Sequence, residues 1–358
     1  MIWDIAIAGG GPAGLAVAIR AAQGGRKAVV LERGADTPDK ACGEGLMPGG
    51  LRELEKLGAL GRIAPGERRA FHGIRYLQED GSSVEARFRR GNGLGIRRTA
   101  LARALRERAQ ECGAELRRAS VLEALAGMDA VEVQTDGGPL QARLLVAADG
   151  LHSPLRHAAG LSLEAPEQQQ RFGLRRHFAV EPWSDLVEVH WADGVEAYVT
   201  PVGPQLVNVA FLWRHKEAGF DALLAHFPAL QERLAGAAAE TEARGAGPLL
   251  QRVRARHAHR LALVGDAAGY VDAITGQGLS LAFAASSLLM GALPGDLSQD
   301  LWPALARYDG SLRASWLRYA APAHALVALS RKPGMRRKAI RALLRIPGAF
   351  GALVGIVG

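Results

Sequence analysis

The sequence predicts an α/β fold in which a parallel-sheet domain is interrupted by a lobe built on an antiparallel β-sheet. Three observations predict it. The chain begins with an apolar run, a glycine cluster and a helical pattern, it carries four strand-like runs between 172 and 213, and it returns to a buried run at Leu261–Val264. Continuous apolar runs are typical of parallel strands covered on both faces, whereas alternation is typical of antiparallel sheets with one covered face.

The N-terminal elements form a β–α–β unit. Ile2–Ala8 is almost entirely apolar and predicts a central parallel strand, and Pro12–Gln23 carries the apolar pattern of a helix. Ala28–Leu31 predicts the second strand, which ends at Glu32 and Arg33. This spacing is the one that a dinucleotide-binding unit requires.

The remaining elements alternate between the two lobes. We expect a loop at 34–50, and the predicted helices are 51–60, 98–112, 220–234 and 279–289. The predicted strands are 71–88 around an Asp80-Gly81 turn, 121–125, 131–135, 144–148, 172–180, 186–191, 196–202, 206–213 and 261–264.

This order of elements predicts a discontinuous domain organisation. The parallel-sheet domain comprises 1–70, 95–170 and 255–300, and the sheet-rich substrate lobe comprises 71–94 and 171–254. The last segment, 301–358, is predicted to be a C-terminal helical region with a basic amphipathic tail.

Charge and cysteine content exclude several classes of protein. The net charge is +8, but nine Lys or Arg and no Asp or Glu lie between 310 and 358, so the rest of the chain is nearly neutral. Nucleic-acid binding would need basic residues along a track with stacking aromatics, so we expect no nucleic-acid partner. Two cysteines and an N-terminus without a basic leader indicate a reducing, cytoplasmic location. No His, Cys and carboxylate cluster predicts a metal site.

The tail allows two interpretations. Arg336–Ile346 places Ile340, Leu343 and Leu344 on one helical face and basic residues on much of the other. Such a helix suits peripheral contact with a membrane surface, and it equally suits packing on the substrate lobe or on a second subunit.

The glycine cluster predicts a phosphate-binding turn. Gly9 permits the tight turn, Gly11 lets a pyrophosphate approach the backbone, and Gly14 lets helix and strand pack closely. Glu32 follows Gly14 by 18 residues, where a carboxylate accepts hydrogen bonds from ribose hydroxyls. The candidate dinucleotide-binding residues at this end are Gly9, Gly11, Pro12, Ala13, Gly14, Glu32 and Arg33.

Three motifs together resemble one family. They are GGGPAG at 9–14, VAADGLHSPLR at 146–156 and LVGDAAG at 263–269. In this order they resemble the FAD-dependent class that contains single-component aromatic hydroxylases, flavin halogenases and geranylgeranyl reductases. The resemblance implies FAD as cofactor and a Rossmann-like FAD-binding domain of the GR2 type.

The resemblance also implies roles for particular residues. Asp149 would lie near the pyrophosphate, Asp266 would bind the ribityl chain, and Arg98 would lie near the ribityl and phosphates, with Arg97 as the competing assignment. Backbone amides of Gly276, Gln277 and Gly278 would contact the flavin pyrimidine carbonyls and, with the helix that follows, would stabilise negative charge on reduced flavin.

Hydroxylation is the chemistry that we favour from the sequence. There is no second glycine fingerprint for a nicotinamide domain, no Trp-x-Trp-x-Ile-Pro halogenase signature and no Cys-x-x-Cys redox pair. The resemblance then implies that NAD(P)H and O₂ serve a monooxygenase acting on a hydrophobic aromatic or polyketide-like compound of secondary metabolism. Tyr198, Pro201 and Ala273 are the candidate pocket residues.

Two alternatives stay open. A geranylgeranyl reductase-like activity is favoured by Gly269, where hydroxylases usually have histidine, and by the Cys42–Gly45 loop, in which Cys42 and Glu44 are candidate catalytic residues. Against it, the aromatic-x-Trp-x-aromatic-Pro pattern of those reductases lacks its tryptophan before Pro201, and Ala273 replaces a proline that both subfamilies carry. The second alternative is a flavoprotein with a non-enzymatic or maturation role. His72, His177 and His190 are further candidates for the pocket, with structural roles as the plainer interpretation.

Overall fold

The structure is a computed structural model that describes residues 1–34, 39–214, 218–274, 276–330 and 334–339. Its strands are β1 (Ile2–Ala8), β2 (Ala28–Glu32), β3 (Gly45–Leu46), β4 (Arg68–Phe71), β5 (Gly73–Gln78), β6 (Ser83–Arg87), β7 (Gly93–Ile96), β8 (Glu115–Arg118), β9 (Val121–Ala126), β10 (Val131–Thr135), β11 (Leu140–Ala147), β12 (Ser162–Leu163), β13 (Phe172–Ala179), β14 (Val187–Trp191), β15 (Val195–Gly203), β16 (Leu206–Trp213), β17 (Ala238–Ala239), β18 (Arg244–Ala246), β19 (Arg252–Val253), β20 (His257–Ala258) and β21 (Leu261–Leu263). Its helices are α1 (Pro12–Gln23), α2 (Pro48–Leu57), α3 (Arg98–Glu111), α4 (Pro154–Ala158), α5 (Phe220–Leu224), α6 (Pro228–Arg233), α7 (Gly278–Ala292) and α8 (Trp302–Ser330).

The first sheet has the strand order β20-β21-β11-β1-β2-β8, with the β9–β10 hairpin attached to β11. Its central pairs, from β21 through β11, β1 and β2 to β8, are parallel. Helices α1, α3 and α7 pack together over this sheet, and their apolar faces join its strands in one core. The predicted α/β class and Rossmann-like domain are confirmed.

The second sheet has the order β17-β13-β16-β15-β14-β5-β6, with β18 beside β13. Its neighbours are antiparallel except for β14 and β5, which pair in parallel and join the early insertion to the later one. The four strands predicted between 172 and 213 pair antiparallel as expected, and the added parallel pair makes the sheet mixed.

Two short helices cover one face of the second sheet. Phe220 and Leu230 pack there against Val209 and Phe211. A single helix over 220–234 was predicted, and the structure has two, because Pro228 cannot donate the backbone hydrogen bond that would continue α5 and instead begins α6.

The tail prediction is tested only in part. Arg336, which was predicted to lie on the basic face of the helix, has its side chain buried against the second sheet. Arg337 and Lys338 are exposed. The rest of the predicted amphipathic helix, 340–346, and the residues after it lie outside the described residues. No helix within the described ranges is long and apolar enough to span a membrane.

Candidate active site

A cavity of about 1370 Å³ lies between the carboxyl ends of the parallel strands and the uncovered face of the second sheet. Ala8, Leu31 and Ala148, at or just after the ends of β1, β2 and β11, line one side. Tyr198 and Leu212 of the second sheet line the other. Ligands of doubly wound α/β domains bind at this edge, outside the carboxyl ends of the strands.

The glycine turn leaves an open helix N-terminus at the cavity. Gly9 has φ +108°, and a Cβ at Gly14 would lie 2.0 Å from the carbonyl oxygen of Gly9, so neither position accepts a side chain. No side chain caps the first turn of α1, and that turn holds no acidic residue. Gly11, Pro12 and Ala13 line the cavity. The free amides and the helix dipole therefore offer an anion-binding site.

Glu32 braces this turn while it lines the cavity. One of its oxygens accepts a hydrogen bond from the Gly10 amide at 2.7 Å, and the other accepts from the Gly34 amide at 3.2 Å. Each carboxylate oxygen can accept a second bond, so the predicted contact with a ribose hydroxyl is compatible with this geometry. Arg33 lies exposed at the same rim.

Of the two competing arginines, the structure places Arg98 at the cavity. Its guanidinium lies 3.9 Å from where a Cβ of Gly11 would be, and its Nε is buried with no hydrogen-bond partner among the described residues. Arg97 does not line the cavity, and its Nε lies 4.0 Å from Glu44. A half-buried guanidinium whose Nε has no partner among the described residues, beside an open helix N-terminus, favours a bound anion.

Two carboxylates complete the polar end of the cavity. Asp149 accepts from the Leu155 amide through one oxygen, and its other oxygen is buried without a partner in the described structure. Burial raises the pKa of both Asp149 and Asp266 above the ordinary value, although the charge of Arg156 opposes the shift at each. Asp266 lies in the short turn Gly265–Ala268. This turn packs so closely on α1 that a Cβ added at Gly265 would lie 2.7 Å from the Cβ of Ala13.

Arg156 bridges two loops beside the cavity, a role that the sequence reasoning missed. It donates to Gln251 Oε1 at 2.7 Å, to the Leu151 carbonyl at 3.0 Å and to the Ala267 carbonyl at 3.3 Å. It therefore joins the loop after β11 to the loop after β21. Its position at the end of the quoted 146–156 motif was the available signal.

These groups fit FAD. The open helix N-terminus and the Arg98 guanidinium suit a pyrophosphate. The unpaired oxygen of Asp149 and the half-buried carboxylate of Asp266 suit the hydroxyl groups of a sugar or ribityl chain. Residues 3–218 match the protein family described as FAD binding domain. The chain belongs to this family of FAD-dependent oxidoreductases.

Relatives and solved structures agree with this membership. The flavoprotein is 30% identical over 321 residues to digeranylgeranylglycerophospholipid reductase 1 of Methanopyrus kandleri, covering 83% of this chain and 80% of the relative. It is 28% identical over 302 residues to menaquinone reductase of Mycolicibacterium smegmatis, covering 77% and 72%. The flavin-dependent brominase Bmp2 shares the fold, with a TM-score of 0.86 and 16% identity over 100% of this chain and 93% of that one.

The structure describes the turn at 276–278 that the sequence predicts to contact the flavin. Gly276, with φ +63°, and Gly278 line the cavity, and α7 begins at Gly278 without a side-chain cap. Gln277 is buried just outside the lining of this cavity. Lys40, which the sequence reasoning did not single out, also lines the cavity, and burial together with the charge of Arg98 lowers the pKa of its ammonium.

The two candidate catalytic residues have different surroundings. Cys42 lines the cavity, and burial raises the pKa of its thiol, so the thiol stays protonated at neutral pH. Glu44 has φ +57°, and its carboxylate binds His177 Nε2 at 2.6 Å and the main-chain amide of Arg98 at 2.7 Å. Glu44 also lines the cavity, and its two oxygens hold the Cys42 loop to the start of α3 and to His177 of β13.

The three candidate histidines, His72, His177 and His190, lie away from the lining of the cavity. His177 is fully buried and bonded to Glu44, as described above. His72 pairs with Asp185 near the surface, and His190 pairs with Glu188 at 3.2 Å. The structure therefore places all three among structural contacts of the second sheet.

Two of the three candidate pocket residues line the cavity, and the third does not. Tyr198 and Ala273 line the cavity, and so does Thr200. Pro201 lies outside the lining, because neighbouring residues of β15 point to opposite faces, and its carbonyl lies 1.8 Å from where a Cβ of Gly95 would be. Pro201 is thus a packing residue against β7.

A buried charge cluster joins the Ala273 loop to the second sheet. Arg171 contacts Glu196 at 2.8 Å and Asp272 at 3.2 Å, and the Tyr198 hydroxyl donates to Glu196 at 2.8 Å. The three charged side chains are only 4–5% exposed. Burial raises the pKa of Asp272 to about 6 against the attraction of Arg171, and repulsion from Glu196 adds to the increase.

We expect the substitution Arg98→Met to weaken FAD binding by about 10- to 100-fold, since a hydrogen bond to a charged group contributes about 1.5–3 kcal/mol. The Arg98–Glu44 contact uses the main-chain amide and should survive. FAD titration of apoprotein, followed by flavin fluorescence, measures the effect. Arg97→Met is the matched control and should change affinity little. Equal losses in both variants would contradict the prediction that Arg98 binds the phosphates.

Proposed function

We propose that this FAD-dependent oxidoreductase is a monooxygenase that uses NAD(P)H and O₂ to hydroxylate a hydrophobic phenol of aromatic or polyketide type. The observation that carries the proposal is that the cavity lining beyond the predicted cofactor residues has both an apolar part and a polar part. Its walls are apolar, yet one strand presents a strip of polar side chains to it. A phenol with an apolar substituent has the same division.

The apolar walls come from the second sheet. The residues that form them are Ile74, Val84, Val187, Val189, Trp191 and Leu212. Burial of such a surface against an apolar substituent contributes about 25 cal/mol per Å². These walls would also exclude water from the space beside the flavin.

The polar strip comes from β15. Tyr198 and Thr200 line the cavity, and Glu196, on the same side of the strand, bonds the Tyr198 hydroxyl. In the reductase pattern that ends at Pro201, these positions would be aromatic, with tryptophan at 198. Because Tyr198 donates its proton to Glu196, its oxygen is left to accept a hydrogen bond from a phenolic hydroxyl.

The chemistry divides between the cofactor and the chain. When bound, FAD would pass the two electrons of NAD(P)H to O₂, so that one oxygen atom enters the aromatic ring and the other leaves as water. Arg98, Asp149 and Asp266 would hold the cofactor, and Tyr198 would orient the substrate hydroxyl. The protonated thiol of Cys42 would add a weakly polar contact on the cavity wall.

Reduction of a prenyl double bond is the second candidate. It is favoured by the names of the two relatives, which are reductases, and by the position of Cys42 on the cavity wall. Gly269 gives it little support, because this residue does not line the cavity and its φ of +114° itself accounts for glycine.

The proposal is tested with FAD-loaded protein, NADPH or NADH, 4-dodecylphenol and ¹⁸O₂. We expect phenol-stimulated NAD(P)H oxidation and one ¹⁸O atom in the product. Tyr198→Phe should lower kcat/KM about tenfold, since a single hydrogen bond contributes about 1–1.5 kcal/mol, and it should leave FAD affinity unchanged.

A different result would favour reduction. In that case chemically reduced protein would saturate a double bond of geranylgeraniol without oxygen, and no ¹⁸O would enter any phenol. A protein that binds FAD but accelerates neither reaction would support the non-enzymatic alternative.

A further inference from the structure

Part of the cavity lining comes from a segment distant in sequence from both sheets. Ala339 lines the cavity together with Tyr76, Val84 and Trp191 of the second sheet. Residues 334–339 are helical. The substrate walls described above therefore include a contribution from near the end of the chain.

Arg336 holds this segment on the second sheet. Its Nε donates to Gln78 Oε1 at 2.9 Å and its Nη1 donates to the Ala192 carbonyl at 3.2 Å. Its guanidinium lies 5.4 Å from the centre of the Trp191 ring, and its Nη2 lies 4.0 Å from Glu79. The side chain is only 1% exposed, which is unusual for arginine and requires such partners.

Arg336, which anchors the segment, and Ala339, which lines the cavity, are directly coupled. Arg336 and Ala339 are three residues apart in a helical segment, so they share one face, and Met335, Arg337 and Lys338 are exposed on the other. Trp191 contacts the arginine and also lines the cavity. Loss of the anchor would therefore release Ala339 and free one face of Trp191 at the same time.

We infer that the helical segment 334–339 is the wall that limits the length of the apolar substituent on the substrate, and that Arg336 is the positioning residue that fixes this wall. Ala339 is the specificity-determining position, because its methyl group leaves space that a larger side chain would fill. The inference rests on the proposed function only in that it assigns the substrate an apolar chain.

The test is a binding series with FAD-loaded protein. The probes are 4-alkylphenols from 4-ethylphenol to 4-dodecylphenol, and the perturbation of the flavin absorbance spectrum reports Kd. In the wild type, affinity should rise about fourfold for each buried methylene, at about 0.8 kcal/mol each, and then level off where the chain reaches the wall. Ala339→Phe should shift that limit to shorter chains, and Arg336→Ala should shift it to longer ones.

Arg337→Ala, at an exposed neighbour, is the matched control and should reproduce the wild-type profile. Flavin content checks folding, and Ala339→Phe keeps the test decisive if Arg336→Ala does not fold. Superimposable length profiles for Ala339→Phe and the wild type would overturn the inference. A parallel series of 1-alkanols separates the two proposals. A length limit seen with alkanols but no binding of phenols would refute the phenol substrate alone, and no binding of either series would refute both.

Discussion

Gly14→Ala should yield protein that is nearly free of FAD and less stable than the wild type. The added Cβ would lie 2.0 Å from the carbonyl oxygen of Gly9 and 3.1 Å from side chains of Ile7 and Ala148. Because the nearest atom belongs to the backbone, no side chain can move aside, and α1 must shift away from the sheet. Such overpacking costs about 1–3 kcal/mol. The shift also moves the amides of the α1 N-terminus away from the phosphate position.

Two variants separate the steric effect from the loss of binding. In Gly24→Ala, at the other end of α1, the added Cβ would lie 3.4 Å from its nearest atom, so this variant should keep full flavin content. Gly11→Ala meets only the Arg98 side chain, at 3.9 Å, so it should fold normally while the methyl group obstructs the pyrophosphate. Flavin absorbance per protein and the thermal midpoint of the apoprotein measure the two effects. A Gly14→Ala protein with the wild-type flavin content would contradict the close packing described here.

The cofactor end of the cavity was largely predictable from the sequence. Each of its parts is a local motif: the glycine turn, the Asp149 loop and the Asp266 turn all follow predicted strands, and parallel strands bring their carboxyl ends to one edge. The choice between Arg97 and Arg98 was not predictable, because it depends on which side chain of the first turn of α3 points at the glycine turn. That orientation is set by tertiary packing.

The substrate end was much less predictable. Arg171, Glu196 and Asp272 lie on separate elements, and no periodicity shows that three charged residues meet in a buried cluster. The burial of Arg336 was equally unpredictable, because arginine is seldom buried and its partners are Gln78, at the end of β5, and Ala192, directly after β14. Pairings between distant segments carry no local sequence signal, so composition and spacing could only assign these residues to a lobe.

The second large effect concerns that charge cluster. Arg171→Met should lower the free energy of unfolding by about 3–5 kcal/mol, the usual cost of leaving buried charges without their partner. Burial disfavours the charged form of Arg171, but attraction to Glu196 and Asp272 outweighs it and raises the pKa of the guanidinium overall. Without Arg171, both carboxylates would remain nearly inaccessible to water, and the hydrogen bonds left to them, from the Tyr198 hydroxyl to Glu196 and from the Ile274 amide to Asp272, come from neutral groups.

The loss should depend on pH in a defined direction. The pKa of Asp272 is about 6 in the folded protein and 3.8 as the ordinary value, so the unfolded chain releases this proton first as pH rises. Asp272 therefore favours folding fully below about pH 4, and this contribution is lost as pH rises through about 6. Removal of Arg171 takes away the attraction that lowers the pKa of Asp272, so this pKa rises further. The pH range over which the contribution of Asp272 is lost then extends to higher pH. Arg171→Met should be destabilised more at pH 8 than at pH 5.

Neutralising the carboxylates should reverse most of this loss. Asp272→Asn with Glu196→Gln in the Arg171→Met background removes both uncompensated charges while keeping similar side-chain volumes. Replacing a whole buried ion cluster by neutral groups is often nearly neutral for stability, whereas removing one partner is not. Urea midpoints at pH 5 and pH 8, with saturating FAD, measure each variant. Equal losses at both pH values, or a triple variant as unstable as Arg171→Met, would show that Arg171 stabilises the fold by packing and not by compensating the two carboxylates.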